Sequence, residues 1–173
     1  MVDPVVGHRW MSRAAFLGLA TLFYLVRILP LDFAPGGWPG PDLLLALTFA
    51  WVLRRPDYVP AVLIAAVFLL DDLLSQRPPG LWAALVLLGS EFLRGRIALL
   101  RGRPFLAEWA MVAGVMAALM AVQHAVLTLV LVPQATLTEE VARLLATLLV
   151  YPPVAGLSRL AFDRAPDAEA RRA

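Results

Sequence analysis

The chain has 173 residues, of which 61% are hydrophobic and 16% are charged, with a formal net charge of +2. Soluble domains contain about 45–50% apolar residues, so one soluble core of this size could not bury so much apolar surface. The absence of cysteine excludes disulfide scaffolds and thiolate metal sites. All 15 basic residues are arginines that lie mainly between apolar runs, which is typical of membrane topology rather than of nucleic-acid binding. The composition predicts an integral membrane protein.

Six apolar runs in chain order predict an all-α, polytopic membrane protein with six transmembrane helices. The second and third runs are short, because a helix needs about 20 residues to cross a hydrocarbon core of ~30 Å. Pro152 and Pro153 lie inside the sixth run and predict a kink, with neighbouring groups or water meeting the freed carbonyls. The predicted runs cover residues 14–31, 42–53, 60–74, 81–94, 105–132 and 141–162.

The arginines collect in alternate connections between the runs. They occur before the first run, between the second and third, between the fourth and fifth, and in the C-terminal tail, whereas residues 32–42 contain none. Because basic residues are retained in cytoplasmic loops, both termini are predicted to be cytoplasmic. The first run is interpreted as an uncleaved span, since no small-residue cleavage site follows it. The predicted organisation is a single six-helix transmembrane domain over residues 1–162 and a short cytoplasmic tail over residues 163–173.

Charged residues inside the predicted spans need a partner or a route to water, because each costs about 2.5–3.5 kcal/mol on insertion. Arg27 lies near the predicted outer end of the first span, and Asp71 and Asp72 lie near the outer end of the third. One hypothesis is functional: these residues form a proton or cation relay, or Arg27 forms a buried ion pair with one of the two aspartates. The favoured alternative is that one carboxylate pairs with Arg27 or Arg77 while the other reaches interfacial water.

Glu91 and Arg94 lie three residues apart in the fourth span. Opposite charges at this spacing share one helix face and stabilise each other, so we predict an ion pair within the helix. A polar contact of Glu91 with Gln123 or His124 of the fifth span is the alternative. The fifth span also carries a tract of small residues around Gly114 that permits close helix approach, either within the protein or with a partner helix.

No catalytic, cofactor-binding or metal site is predicted. Ser90 and His124 could be considered as a serine-protease dyad, but the residues around Ser90 lack the Gly-x-Ser-x-Gly turn that presents such a nucleophile. His124, alone in a long apolar helix, is predicted to make an interhelical hydrogen bond. Phosphate-binding loops, dinucleotide-binding glycine patterns and paired zinc-binding histidines do not occur in the sequence.

Between about Asp32 and Arg94, four short motifs follow one another in a particular order. They are Pro41-Asp42 entering a leucine-rich span, Arg54-Arg55-Pro56, Asp71-Asp72-Leu73-Leu74-Ser75, and Pro79-Gly80-Leu81-Trp82. In order and spacing these motifs resemble the rod-shape-determining protein MreD family. Gln76-Arg77 departs from the small residues that the family tends to have there.

The resemblance implies a non-enzymatic inner-membrane scaffold of the bacterial cell-elongation machinery. It implies association with the bitopic protein MreC and, through it, with the cell-wall synthase RodA, its penicillin-binding partner and the actin-like MreB. It also implies the fold of the substrate-binding S component of vitamin transporters, which supplies an alternative function. That alternative requires an outer cavity lined by converging polar side chains. The predicted outer loops offer few polar side chains for such a cavity, so the sequence favours the scaffold. These side chains are Asp32, Asp42, Gln76, Arg77, Glu139 and Glu140.

Overall fold

The computed structural model describes residues 4–28 and 40–170, and these residues form helices and connecting turns without strands. Six long helices are joined by short connections, one of which holds the single helical turn α5. A 3₁₀ turn, Pro56–Tyr58, precedes the third helix. The helices are α1 (Pro4–Ile28), α2 (Leu43–Arg54), α3 (Ala61–Leu74), α4 (Leu81–Arg94), α5 (Ile97–Leu100), α6 (Phe105–Leu129) and α7 (Leu137–Ala170).

The long helices occupy the six predicted apolar runs, although several of their ends differ from the predicted ones. Helix α1 begins earlier than expected, at Pro4. The fourth-to-fifth connection contains α5, which was not predicted. Helix α7 continues to Ala170, so residue 162 is not a helix end and the predicted tail is helical through residue 170.

Two of these helices are long and apolar enough to cross a membrane: α6 and the Leu137–Leu160 part of α7. Helices α2, α3 and α4 contain 12, 14 and 14 residues. At 1.5 Å per residue they are about 18–21 Å long, shorter than a ~30 Å hydrocarbon core. The structure therefore supports membrane-helix character, and the arrangement of six spans stays a prediction.

Helix α2 is the buried centre of the protein. Every residue from Leu44 to Val52 is buried, and α2 packs against α7, α4, α1 and the 3₁₀ turn. Its one buried hydroxyl, Thr48 Oγ1, donates to the Leu44 carbonyl one turn earlier at 2.7 Å. A short helix enclosed in this way is shielded from the surroundings of the protein by its neighbours along most of its length.

The long helices define two ends of the bundle, named here after α2. At the Asp42 end, the Asp42 amide donates to Thr147 Oγ1 in the first half of α7 at 2.9 Å. At the Arg54 end, Arg54 Nη2 donates to Glu108 Oε1 near the start of α6 at 2.9 Å. The Arg54 end holds the connections from α2 to α3 and from α4 to α6, where the sequence predicts the cytoplasmic side.

Pro152 and Pro153 do not interrupt α7, which is one continuous helix from Leu137 to Ala170. A proline in a helix leaves the carbonyl four residues earlier without its usual donor. For Pro152 that carbonyl belongs to Leu148, and it accepts a hydrogen bond from Trp109 Nε1 of α6 at 3.0 Å. The prediction that a neighbouring group meets a freed carbonyl is confirmed.

Candidate functional site

A cleft lined by polar and apolar side chains lies at the Asp42 end of the bundle. It consists of a larger chamber of about 310 Å³ and an adjacent smaller chamber of about 70 Å³. Three residues line both chambers: Asp42, Arg77 and Arg143. The larger chamber is also lined by Phe23, Tyr24, Gly40, Pro41, Leu43, Leu44 and Asp71, and the smaller one by Leu45, Trp82, Met116, Met120, Gln123, Glu140, Leu144 and Thr147.

Asp42 is held at the edge of this cleft by its role at the start of α2. Its carboxylate accepts the Leu45 amide at 2.9 Å, as expected of an aspartate at the N-cap. Its own amide donates to Thr147, whose hydroxyl donates in turn to the Arg143 carbonyl at 2.7 Å. The local sequence thus places an acidic residue where α2 and α7 meet.

Asp71 pairs with Arg77, which was one of the predicted partners. The nearest guanidinium nitrogen lies 3.7 Å from Asp71 Oδ2, and Ser75 Oγ donates to Asp71 Oδ1 at 3.2 Å. The side chain of Arg27 lies outside the described residues, so its predicted pairing with Asp71 or Asp72 remains a prediction.

Asp72 contradicts the prediction that the second carboxylate reaches interfacial water. The residue is fully buried, and its Oδ2 accepts the amides of Gly80 at 2.9 Å and Ala83 at 3.2 Å. These amides belong to the first turn of α4, where backbone donors lack helical partners. Asp72 of α3 therefore caps α4 across the hairpin, and the α3–α4 turn brings the two together.

Glu91 and Arg94 form the predicted ion pair within α4, with 2.6 Å between Glu91 Oε1 and Arg94 Nη1. Arg94 also donates to the Val59 carbonyl at the Arg54 end. The alternative contact of Glu91 with Gln123 or His124 is wrong, because both of those residues lie toward the Asp42 end. There His124 Nδ1 lies 2.9 Å from Glu140 Oε2 of α7, which confirms the predicted interhelical hydrogen bond.

Ser90 and His124 are not joined by a hydrogen bond. Ser90 is fully buried, and its Oγ has no hydrogen-bond partner in the part of the chain that the structure describes. Among the described side chains, those of residues 10–25 and 40–160, no group of three or more His, Asp or Glu is placed to hold a metal ion.

A second polar cluster, at the Arg54 end, was not predicted from the sequence. Glu108 Oε1 accepts from Arg54 Nη2 and from the Tyr151 hydroxyl, each at 2.9 Å, and Glu108 Oε2 accepts from Arg159 at 3.2 Å. The ring of Tyr151 also stacks on Phe105, with centroids 6.4 Å apart. The sequence offered one signal for this cluster, a single carboxylate (Glu108) in the first turn of α6. Through its hydrogen bonds Glu108 joins α2, α6 and α7.

Gly114 and the small residues one turn away on either side face outward. Gly114, Ala110 and Ala118 are exposed, and a Cβ added at Gly114 would have no described heavy atom within 4 Å. The inward face of α6 carries the buried residues Val112, Val115, Met116 and Leu119. The small-residue face is thus unused in packing among the described residues.

No known protein-family model matches this chain, and no curated protein or solved structure is significantly similar to it.

Proposed function

We propose that this chain is a non-enzymatic scaffold of the MreD type in the bacterial inner membrane, with six spans and both termini in the cytoplasm. In this role it binds an MreC-like bitopic protein and, through it, RodA, its penicillin-binding partner and MreB. The order of motifs between Asp32 and Arg94 supports the family, and the outward small-residue face of α6 supports the scaffold role.

The face of α6 carries the functional argument. In a membrane, lipid removes the hydrophobic force between helices, so close backbone approach through Gly and Ala supplies much of the association energy. Residues Ala110, Gly114 and Ala118 recur at four-residue spacing on one exposed side of a 25-residue apolar helix. A bitopic partner contributes one transmembrane helix, which is the kind of element that fits such a face.

Capture of MreC by a tagged chain in detergent tests this proposal. We expect Gly114→Leu to lower capture about tenfold, because a bulky side chain prevents the close approach and an interhelical contact of this kind contributes on the order of 1–2 kcal/mol. Gly156→Leu in α7 is the matched control, since this glycine is also exposed with no described heavy atom within 4 Å of an added Cβ. Equal capture by both variants would contradict the proposal.

A further variant separates scaffolding from catalysis. Ser90→Ala removes a hydroxyl that has no partner among the described residues, so the variant should accumulate, capture MreC and support normal cell shape in a depletion strain. Loss of cell shape with normal capture would point to a chemical step instead.

The cleft at the Asp42 end favours a second candidate, a substrate-binding subunit of a small-molecule transporter. Its lining includes Asp71 and Arg143 in addition to residues of the predicted outer loops, so it is richer than the sequence indicated. Co-purifying proteins distinguish the two candidates: a transporter subunit brings down an ATP-hydrolysing module, and a scaffold brings down MreC.

A further inference from the structure

We propose that the Arg54 end of the bundle binds the headgroups of anionic phospholipids through four arginines, Arg55, Arg96, Arg101 and Arg103, named here the arginine cluster. The inference rests on the membrane location in the proposed function. It does not depend on the scaffold role or on MreC, because the small-residue face of α6 takes no part in it.

The arginine cluster consists of guanidinium groups that the fold leaves available. Arg55, Arg101 and Arg103 are exposed, and Arg96 is half-buried. Their side chains make no hydrogen bond and no ion pair with the residues that the structure describes. Each guanidinium therefore retains its N–H donors for a ligand, and such donors match the oxygens of a phosphate group.

Two members of the cluster are held by aromatic rings. The guanidinium carbon of Arg96 lies 3.5 Å from the ring centroid of Phe92, and that of Arg55 lies 5.9 Å from the centroid of Tyr58. A guanidinium over a ring uses its flat face, whereas its N–H groups lie in its plane. These contacts position the two side chains and leave their hydrogen-bond donors unused.

Nearby acidic residues do not neutralise the cluster. Residues 95–104 contain three arginines and no acid. Of the acids that flank this segment, Glu91 pairs with Arg94 at 2.6 Å and Glu108 pairs with Arg54 at 2.9 Å. The positive charge of the arginine cluster is therefore in excess, and it attracts an anionic partner.

The short helix α5 brings three members of the cluster close together. Arg96 lies directly before α5 and Arg101 directly after it, so their α-carbons are about 8 Å apart at 1.5 Å per residue. The Arg103 amide donates to the Leu100 carbonyl at 3.1 Å, which keeps the third arginine beside the same turn. The long side chains of these residues can thus reach one headgroup or two adjacent ones.

The fourth member, Arg55, belongs to the neighbouring connection, where it follows the last residue of α2. Arg94, two residues before Arg96, donates to the Val59 carbonyl of that connection. This bond joins the α2–α3 and α4–α6 connections, so the cluster draws on both.

Exposed apolar side chains beside the cluster favour a lipid over other anionic partners. Phe92, Leu99 and Leu106 are 46%, 55% and 68% exposed, and Leu99 lies within α5 between two of the arginines. At a membrane surface such side chains enter the acyl boundary while the charged groups remain among the headgroups. A nucleic acid or an acidic peptide offers no apolar phase to these residues.

The strength of the charge argument sets the expected lipid preference. Clusters of about four to eight basic residues next to membrane helices bind anionic lipids, and each residue contributes about fivefold in affinity. Phosphatidylcholine also carries a phosphate, but its cationic amine cancels the charge of the headgroup. The arginine cluster should therefore prefer phosphatidylglycerol to phosphatidylcholine.

The test uses the full-length protein, purified in detergent and freed of lipid, with bound lipid counted by native mass spectrometry. Phosphatidylglycerol and phosphatidylcholine with identical acyl chains are the probes. We expect phosphatidylglycerol to bind at least about tenfold more tightly, with a preference that falls as the salt concentration rises. Equal binding of the two lipids would overturn the inference. Tighter binding of a polyglutamate peptide than of phosphatidylglycerol would indicate a protein partner and would also overturn it.

Two matched variants connect the preference to the cluster. The cluster variant combines Arg96→Gln, Arg101→Gln and Arg103→Gln. The tail variant combines Arg164→Gln, Arg171→Gln and Arg172→Gln, and it removes the same charge from a segment that also contains three acids. The cluster variant should lose phosphatidylglycerol affinity about tenfold or more with an unchanged melting temperature in lipid-free detergent, because its side chains have no polar partner to lose. The tail variant should retain the lipid preference. An equal loss in both variants would indicate an effect of net charge alone and would overturn the inference.

Capture of MreC is measured on the same samples. The cluster variant should capture MreC normally, and Gly114→Leu should bind phosphatidylglycerol normally. Failure of the lipid inference and failure of the proposed scaffold function are thus recorded separately.

Discussion

Asp72 shows how a carboxylate inside an apolar helix can have a purely structural use. Its Oδ2 accepts two amides of the first turn of α4, at Gly80 and Ala83. The Ala83 amide is buried and the Gly80 amide is partly buried, and a buried N–H without an acceptor costs about 1–3 kcal/mol. The carboxylate oxygen of Asp72 thus lies at the N-terminal end of α4, where a helix macrodipole favours negative charge.

We expect Asp72→Ala to lower the free energy of unfolding by about 2 kcal/mol, since it leaves the buried Ala83 amide and the partly buried Gly80 amide without their acceptor. Asp72→Asn retains an acceptor oxygen and should cost less. Thermal unfolding of the purified variants, followed by circular dichroism in detergent, measures the difference. If Asp72→Ala unfolds at the same temperature as the unmodified protein, the capping role is wrong.

At the scale of elements, α7 depends on α6 to accommodate its two prolines. Trp109 Nε1 donates to the carbonyl that Pro152 leaves without a donor, and this bond fixes the register of the two helices. A similar dependence joins α4 to α6, because a Cβ at Gly89 would lie 3.0 Å from Leu119 Cδ1 and 3.1 Å from Val115 Cγ1. A side chain at position 89 would force these neighbours to shift by a few tenths of an ångström, so glycine favours the close approach of α4.

The bond at Pro152 can be tested with two matched substitutions. Trp109→Phe should destabilise the protein by roughly 1–3 kcal/mol, because it leaves the Leu148 carbonyl unpaired in an apolar setting. Trp82→Phe deletes the same indole group where it has no acceptor among the described residues, so its effect on stability should be smaller. The melting temperatures of the two variants are measured side by side. An equal decrease in both would contradict the role of Trp109.

At the scale of the whole molecule, the two ends of the bundle differ in charge. The Arg54 end carries Arg54, Arg55, Arg94, Arg96, Arg101 and Arg103 in the described connections and helix ends. Basic residues close to membrane helices are retained on the cytoplasmic side. The chain should therefore sit with the Arg54 end inside the cell and the cleft facing outward.

Topology is measured with a reporter enzyme that is active only outside the cytoplasm. Fusions after Gly37 and after Gln76 should be active, and fusions after Gly102 and after Ala173 should be inactive. If only α6 and α7 cross the membrane, the Gly37 and Gln76 fusions become inactive whereas a fusion after Gln134 stays active. The reverse of the expected pattern would overturn the orientation.

The sequence by itself determined what depends on local spacing. The apolar runs predicted the positions of the long helices, Asp42 marked the start of α2, and the three-residue separation of Glu91 and Arg94 predicted their ion pair, confirmed at 2.6 Å. Backbone periodicity brings such groups together whatever the rest of the fold does.

Tertiary structure alone decided which face of each helix is buried and which distant residues meet. Helix α6 is apolar on all sides from Trp109 to Val122, so no periodic stripe indicates that Gly114 faces outward while Val115 packs inward. Glu108 meets Arg54 and Arg159, which lie 54 and 51 residues away along the chain. These contacts depend on the rotation of each helix about its axis and on the choice of neighbours, which side-chain packing determines and local spacing does not encode.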